Sequence, residues 1–189
     1  MNNKQNSRQW LIDYFNLYRK FDYNDQLDKL VELKELWVKT NSINKKIIFC
    51  GNGGSAAMAS HCAVDLTKNA GIRAINFNEA DLITCFANDF GYENWISSAL
   101  KFYAEKNDVV VLISSSGRSQ NIINAAEYAK NNDINIVTFS GFDDDNPLKT
   151  LGDINFWVDS HAYNIVEMTH HIWLLAIVDM IIGNSEYSA

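Results

Sequence analysis

The sequence predicts an α/β fold, a three-layer αβα sandwich with a five-stranded parallel sheet at its centre. Three observations point there. Short β-rich runs alternate with amphipathic helical segments from residue 41 onward, which is the order of strand–helix–strand units. The run Val109, Val110, Val111, Leu112, Ile113 is apolar at every position, as suits a strand covered on both faces. Two apolar runs, in IIFCGNGGSAA (residues 47–57) and VVVLISSSGRSQN (residues 109–121), stop at glycines and serines and pass directly into a helix. Parallel sheets build such junctions at the carboxyl ends of their strands.

The first forty residues carry helical periodicity. Trp10, Leu11, Tyr14, Phe15 and Tyr18 form one apolar stripe and Leu27, Leu30, Val31, Leu33, Leu36 and Trp37 another, so two amphipathic helices are expected. Their apolar faces are broader than capping one sheet requires; contact with another subunit and ordinary core packing both account for them. Strands follow at 47–50, 74–77, 109–113, 134–139 and 154–158, with helices at 55–68, 79–86, 92–103, 119–131 and 163–182. Residues 141–147, which bring Asp143, Asp144 and Asp145 together, read as a turn with solvated acids.

Composition narrows the function classes. With 189 residues, 47% of them hydrophobic, and no Pro/Gly/Ser-rich linker, one domain over 1–189 is expected, with 1–40 as helices for oligomer packing and 41–189 as the ligand-binding core. The polar start lacks the order of a signal peptide, and no apolar run reaches bilayer length, so a cytoplasmic protein without a membrane partner is expected. The net charge of −7 argues against a nucleic-acid partner, which needs a concentrated basic face. Cys50, Cys62 and Cys85 are an odd set without zinc-type spacing, read as reduced structural thiols.

The two glycine–serine junctions suit a phosphate. Glycines let the backbone approach an anion, the helix start presents unpaired N–H groups at positive potential, and serine hydroxyls add donors. Gly51-Asn52-Gly53-Gly54-Ser55 lacks the Lys-Ser/Thr of a nucleotide-triphosphate loop, which makes an ATPase reading poor. Gly51, Gly53 and Ala56 match the loose dinucleotide fingerprint, but the second strand ends at Asn76 and Asn78 rather than at an acid for a ribose hydroxyl, and the fingerprint leaves the second serine loop unexplained. Arg118 inside that loop suits a phosphate or acidic sugar as well as it suits solvent.

GNGGSAA followed by His61, the stretch Asn88-Asp89-Phe90-Gly91, SSSGRSQN and a closing helix introduced by AYNIVE together resemble the sugar isomerase (SIS) domain family, phosphoheptose isomerase type. The resemblance implies a homotetramer with active sites at subunit interfaces and a phosphorylated sugar as substrate. It implies ketose–aldose isomerisation, sedoheptulose 7-phosphate to D-glycero-D-manno-heptose 7-phosphate, feeding surface polysaccharide. Carried over residue by residue, Asn52, Gly53 and Ser55 in the first loop and Ser114, Ser116 and Ser119 in the second would hold phosphate and neighbouring hydroxyls. Ser115 stands between them where the family often has Thr. Asp89 would fall near the substrate hydroxyls, and Glu167 occupies a position where the family commonly has Gln or Glu.

Such an isomerisation runs through an enediol and needs a base near C1/C2 and an acid for the oxygens. The family's Glu base falls on Asp65, one methylene shorter, and its His falls on Leu175, which transfers no proton. Some members hold zinc at the positions that are here His61, Asp65, Glu167 and Leu175; the chemistry itself requires no cofactor. Glu167, His171 and Leu175 share one helix face and His61 and Asp65 another, each pair spaced i, i+4. A displaced site is therefore expected, with Asp65 and His171 as the catalytic pair and His61, Asp65, Glu167 and His171 as candidate zinc ligands. In the alternative arrangement His171 faces the core or an interface and His170 faces solvent or a neighbour. The family also includes a non-catalytic tetramer that binds the replication initiator DnaA, and the leucine at 175 keeps a binding-only role open.

Overall fold

Strand alternation sets the layers. In the computed structural model, Ile47, Phe49, Val109, Val111, Val137 and Phe139 bury on one face of the sheet, while Ile48, Cys50, Val110, Leu112 and Ile136 bury on the other; successive side chains of a strand point to opposite faces, so a wholly apolar strand feeds two cores at once. The structure describes residues 2–20 and 24–187, and the expectations for residue 1, residues 21–23 and residues 188–189 lie outside it. Elements run α1 (Asn2–Leu17), α2 (Asn24–Ser42), β1 (Ile47–Gly51), α3 (Gly54–Lys68), β2 (Ala74–Asn76), α4 (Ala80–Phe90), α5 (Trp95–Tyr103), β3 (Val109–Ser114), α6 (Gln120–Lys130), β4 (Asn135–Gly141), β5 (Ile154–Val158) and α7 (Tyr163–Ile182). The five strands are parallel, in the order β2-β1-β3-β4-β5.

That order places the site. From β1 the chain steps outward to β2, then returns to the other side of β1 for β3 and continues outward through β4 and β5. The connections after β1 and β3 therefore diverge to opposite faces and open a crevice at their carboxyl ends. Gly51 sits opposite Ile113 in the ladder, so the two glycine–serine turns leave the sheet side by side.

Helices α2, α3 and α7 cover one face, α2 through Leu30, Leu33 and Trp37 and α7 through Val166, Trp173, Leu174, Ile177 and Val178. Helices α5 and α6 cover the other, with Ile96, Ala99, Leu100, Ile122, Ala125 and Ala126 at the contact. Sequence reading expected no apolar run of bilayer length, yet α7 is 20 residues with a mean hydropathy of 1.6 over its most apolar window. Part of its apolarity has a packing cause, because its buried residues lie against the sheet and the flanking helices α2 and α3, while Met168, Ile172 and Met180 stay exposed.

Three further expectations shift. The thiols of Cys50 and Cys62 are buried but Cys85 is exposed; burial raises the pKa of Cys50 and pushes that of Cys62 up to about 12, so these two are unreactive. Helix α4 runs to Phe90 instead of ending at residue 86, since Ala87-Asn88-Asp89-Phe90 contains no breaker before Gly91. Helix α5 starts at Trp95 rather than at residue 92, which leaves Tyr92 in the connecting loop. The N-terminal helices differ from each other: α2 buries Leu30, Leu33 and Trp37 while Leu27 and Val31 stay exposed, whereas Trp10, Leu11, Ile12 and Phe15 of α1 are all exposed.

Candidate active site

The first turn follows from glycine's freedom. Gly53 adopts φ +57° and ψ −122° as the residue that precedes α3, a backbone region that side-chain-bearing residues avoid. It carries no side-chain cap, and with the Ser55, Ala56 and Ala57 N–H groups bonded to the Asn52 and Gly53 carbonyls, the Gly54 N–H is the donor of this turn left for an outside acceptor. The second turn is built the same way after β3. Ser119 precedes α6 without capping it; its hydroxyl instead meets that of Ser114 at 3.1 Å. The Ser116 hydroxyl accepts the backbone N–H of Arg118 at 3.3 Å, and the Ser115 hydroxyl is buried without a hydrogen-bond partner.

The two turns enclose one small cavity of about 90 Å³, lined by Asn52, Ser55, Ile113, Ser114, Ser115, Ser116, Ser119, Tyr163 and Glu167. A larger cavity of about 630 Å³ lies along Asp143, Asp144, Asp145, Asp159, Arg118 and His161, but its four carboxylates repel an anion. Chemistry, not volume, therefore selects the serine-lined pocket.

Asn52 joins the turns. Its amide pairs reciprocally with that of buried Asn121 on α6, at 3.0 and 2.9 Å, and its carbonyl also accepts from Tyr92 Oη at 3.1 Å. The expectation that Asn52 holds phosphate is thereby narrowed: most of its hydrogen-bonding capacity ties the two turns and the α4–α5 loop together. Neither Asn121 nor Tyr92 was singled out from sequence, nor was Tyr163 at the pocket wall. Asn121 lies inside the SSSGRSQN motif, which was the available signal.

A second constellation stands further along α3 and α7. His61 Nε2 meets Asp65 Oδ2 at 3.2 Å, and His61 Nδ1 meets His171 Nε2 at 2.9 Å. With both rings neutral, each Nε2–H donates, His171 to His61 and His61 to Asp65, the tautomers being assigned from these partners. Burial first, then His61, lowers the pKa of His171, while Asp65 opposes the shift. From Ser55 to His61 is six residues of helix, about 9 Å at 1.5 Å per residue. Asp65 stands four residues further along α3.

The structure brings some expected residues here and not others. Among the described residues no three of His, Cys, Asp and Glu form a group fit to hold a metal. Of the candidate zinc set, His61, Asp65 and His171 stand together, while Glu167 lies against Gly54 in the serine pocket. Asp89 is not at the pocket either. The continuation of α4 puts it four residues after Cys85, beside that thiol and Asn88, in an aromatic groove with Phe86, Phe90, Phe102 and Tyr103. Arg118 turns to Asp145 at 2.5 Å and Asp143 at 3.6 Å rather than to the pocket. His170, not His171, is the core residue: it is fully buried, its Nε2 lies 2.9 Å from the Ser140 carbonyl, and burial lowers its pKa to about 4. Leu175 packs against the core.

Comparison with known proteins agrees with this geometry. The SIS domain profile matches residues 12–141. Phosphoheptose isomerase of Buchnera aphidicola is 32% identical over 163 residues, 84% of each chain, and that of Helicobacter pylori is 32% identical over 160 residues, 82% of this chain and 83% of the relative. The solved structure of phosphoheptose isomerase from Neisseria gonorrhoeae superposes with a TM-score of 0.84 at 25% identity, covering 95% of this chain and 99% of the other. That of the Francisella tularensis enzyme superposes at 0.86 with 20% identity, covering 97% and 100%, a likeness of fold.

Proposed function

This chain belongs to the SIS-domain family, and from that premise we propose that it is a ketose–aldose isomerase of a phosphorylated sugar, with sedoheptulose 7-phosphate as the substrate its phosphoheptose isomerase relatives suggest. One observation carries the reading: two glycine–serine turns close on a single pocket while an Asp–His–His chain stands further along α3 and α7, the helices that contribute Ser55 and Glu167 to that pocket. The pocket suits a phosphate monoester because uncapped helix starts and serine hydroxyls converge there.

Asp65 serves as base. It takes a proton from the carbon beside the carbonyl, the C–H electron pair becomes the enediol double bond, and the carbonyl oxygen receives a proton from the His61–His171 pair carrying one proton beyond its neutral form, an imidazolium that thereby returns to neutral imidazole. Return of a proton to the neighbouring carbon, with loss of the other oxygen's proton, completes the aldose. His171 thus replaces, from one helical turn away, the proton carrier that Leu175 does not supply. We infer assembly of a homotetramer in the cytoplasm, with exposed Trp10, Leu11, Ile12 and Phe15 of α1 at subunit contacts and Asp89 reaching the sugar of a neighbouring copy.

Incubation with sedoheptulose 7-phosphate in deuterated water, followed by NMR at C1/C2, tests the reaction. Deuterium incorporation that disappears in Asp65→Asn is the expected result. Leu175 favours one second reading, a binding-only SIS protein; sugar-phosphate binding without any exchange would establish it in place of catalysis.

A further inference from the structure

We propose that Glu167 makes the pocket selective: its carboxylate, set against the anion-cradling first turn, disfavours bare phosphate and admits a phosphate ester only when hydroxyl groups accompany it. This rests on the phosphosugar reading and specifies what that pocket accepts. The anomaly behind it is an anion in an anion site. Glu167 sits one turn into α7 and lines the same cavity as Ser55, Ser114, Ser115 and Ser119. Its carboxylate lies so close to Gly54, the first residue of α3, that a Cβ on Gly54 would overlap Oε2 and come within 2.8 Å of Cδ and 2.9 Å of Oε1. A side chain at 54 would push the carboxylate out of this position.

The start of α3 offers this carboxylate its dipole potential, but no side-chain cation among the described residues pairs with it. The Glu167 carboxylate makes no hydrogen bond or ion pair among the described residues, and the cation of the second turn, Arg118, is committed to Asp143 and Asp145. The group is partly withdrawn from water, which also raises its pKa. A carboxylate only accepts hydrogen bonds, and inorganic phosphate at slightly alkaline pH presents mainly acceptors as well. The two anions repel across a few ångströms of partly desolvated space, where Coulomb effects exceed those in bulk water. The hydroxyls of an open-chain sugar phosphate are donors, and they satisfy the carboxylate that bare phosphate leaves in conflict.

Calorimetric titration at pH 8 of wild type and the near-isosteric Glu167→Gln, each with inorganic phosphate and with sedoheptulose 7-phosphate, tests this. The variant is expected to bind inorganic phosphate about tenfold more tightly and the sugar phosphate no more tightly, so the preference between them shrinks about tenfold. If wild type binds the sugar phosphate but the variant's affinity for inorganic phosphate is unchanged or lower, the role of Glu167 is overturned and the pocket assignment stands. If neither ligand binds wild type, or Ser119→Ala leaves both affinities untouched, the pocket assignment fails and takes this inference with it.

Discussion

The serine pocket and the Asp65–His61–His171 chain share the helices α3 and α7, to which the pocket adds the β3–α6 turn, yet they are built from different materials. The pocket depends on backbone: a left-handed glycine, two uncapped helix starts and the switch in strand order between β1 and β3. The chain depends on side chains only, three groups linked at 3.2 and 2.9 Å across neighbouring helix faces. A backbone site has one location in a given fold. A side-chain site can move by a helical turn, because residues spaced i, i+4 occupy the same face, and here the histidine stands at 171 while 175 is leucine.

The sharpest way to break this comparison is His171→Ala. If the chain carries proton transfer and the pocket carries binding, kcat should fall by roughly 10²–10⁴-fold with KM nearly unchanged, as read in steady-state isomerisation assays. An equal loss in binding would merge the two regions into one.

His170 provides a contrast with its neighbour, through stability instead of rate. Its folded pKa of about 4 lies below the ordinary histidine value of 6.5, so the unfolded chain binds the extra proton between those values. Stability should therefore fall as pH drops from 6.5 to 4, by about 3 kcal/mol in all. Denaturant melts at pH 7.5 and pH 4.5 should show a smaller difference in His170→Asn than in wild type.

Ser119→Ala removes a hydroxyl that lines the pocket and meets Ser114. Sugar-phosphate affinity should weaken about tenfold, since a hydrogen bond to a charged group contributes about 1.5–3 kcal/mol, with deuterium exchange at saturating substrate preserved. The smallest effect belongs to Arg118→Ala. Its guanidinium pairs with Asp143 and Asp145 at half-exposed positions, and exposed pairs contribute about 0–1 kcal/mol, so phosphate-ester affinity should change less than about twofold. A large loss would return Arg118 to the pocket.

Much of this was readable before any coordinates. The wholly apolar VVVLI run and the helix–strand alternation pointed to the parallel sheet because burial on two faces leaves no polar position, and α7 spans the expected residues. Both serine turns were visible because glycine and small hydroxyl residues after an apolar run have few other uses. Helix ends were less secure. Nothing between Ala87 and Phe90 prefers loop to helix, so α4 runs past residue 86, and Asp89, which the family resemblance put near the substrate hydroxyls, stands exposed beside Cys85 on α4. The adjacent histidines were indistinguishable by type, and their fates follow from a rotation of about 100° per residue around α7.

By itself the chain's order of residues determined the strands, the turns and the chemistry each could bear, since these depend on side-chain size, polarity and backbone freedom within a few positions. Only the tertiary structure decided which groups meet: that His171 reaches His61, that Glu167 stands over Gly54 and that Asn121 clasps Asn52. Those encounters span 110, 113 and 69 positions in sequence, and the crossing of α3 and α7 and the strand order sets them, quantities that no local pattern encodes.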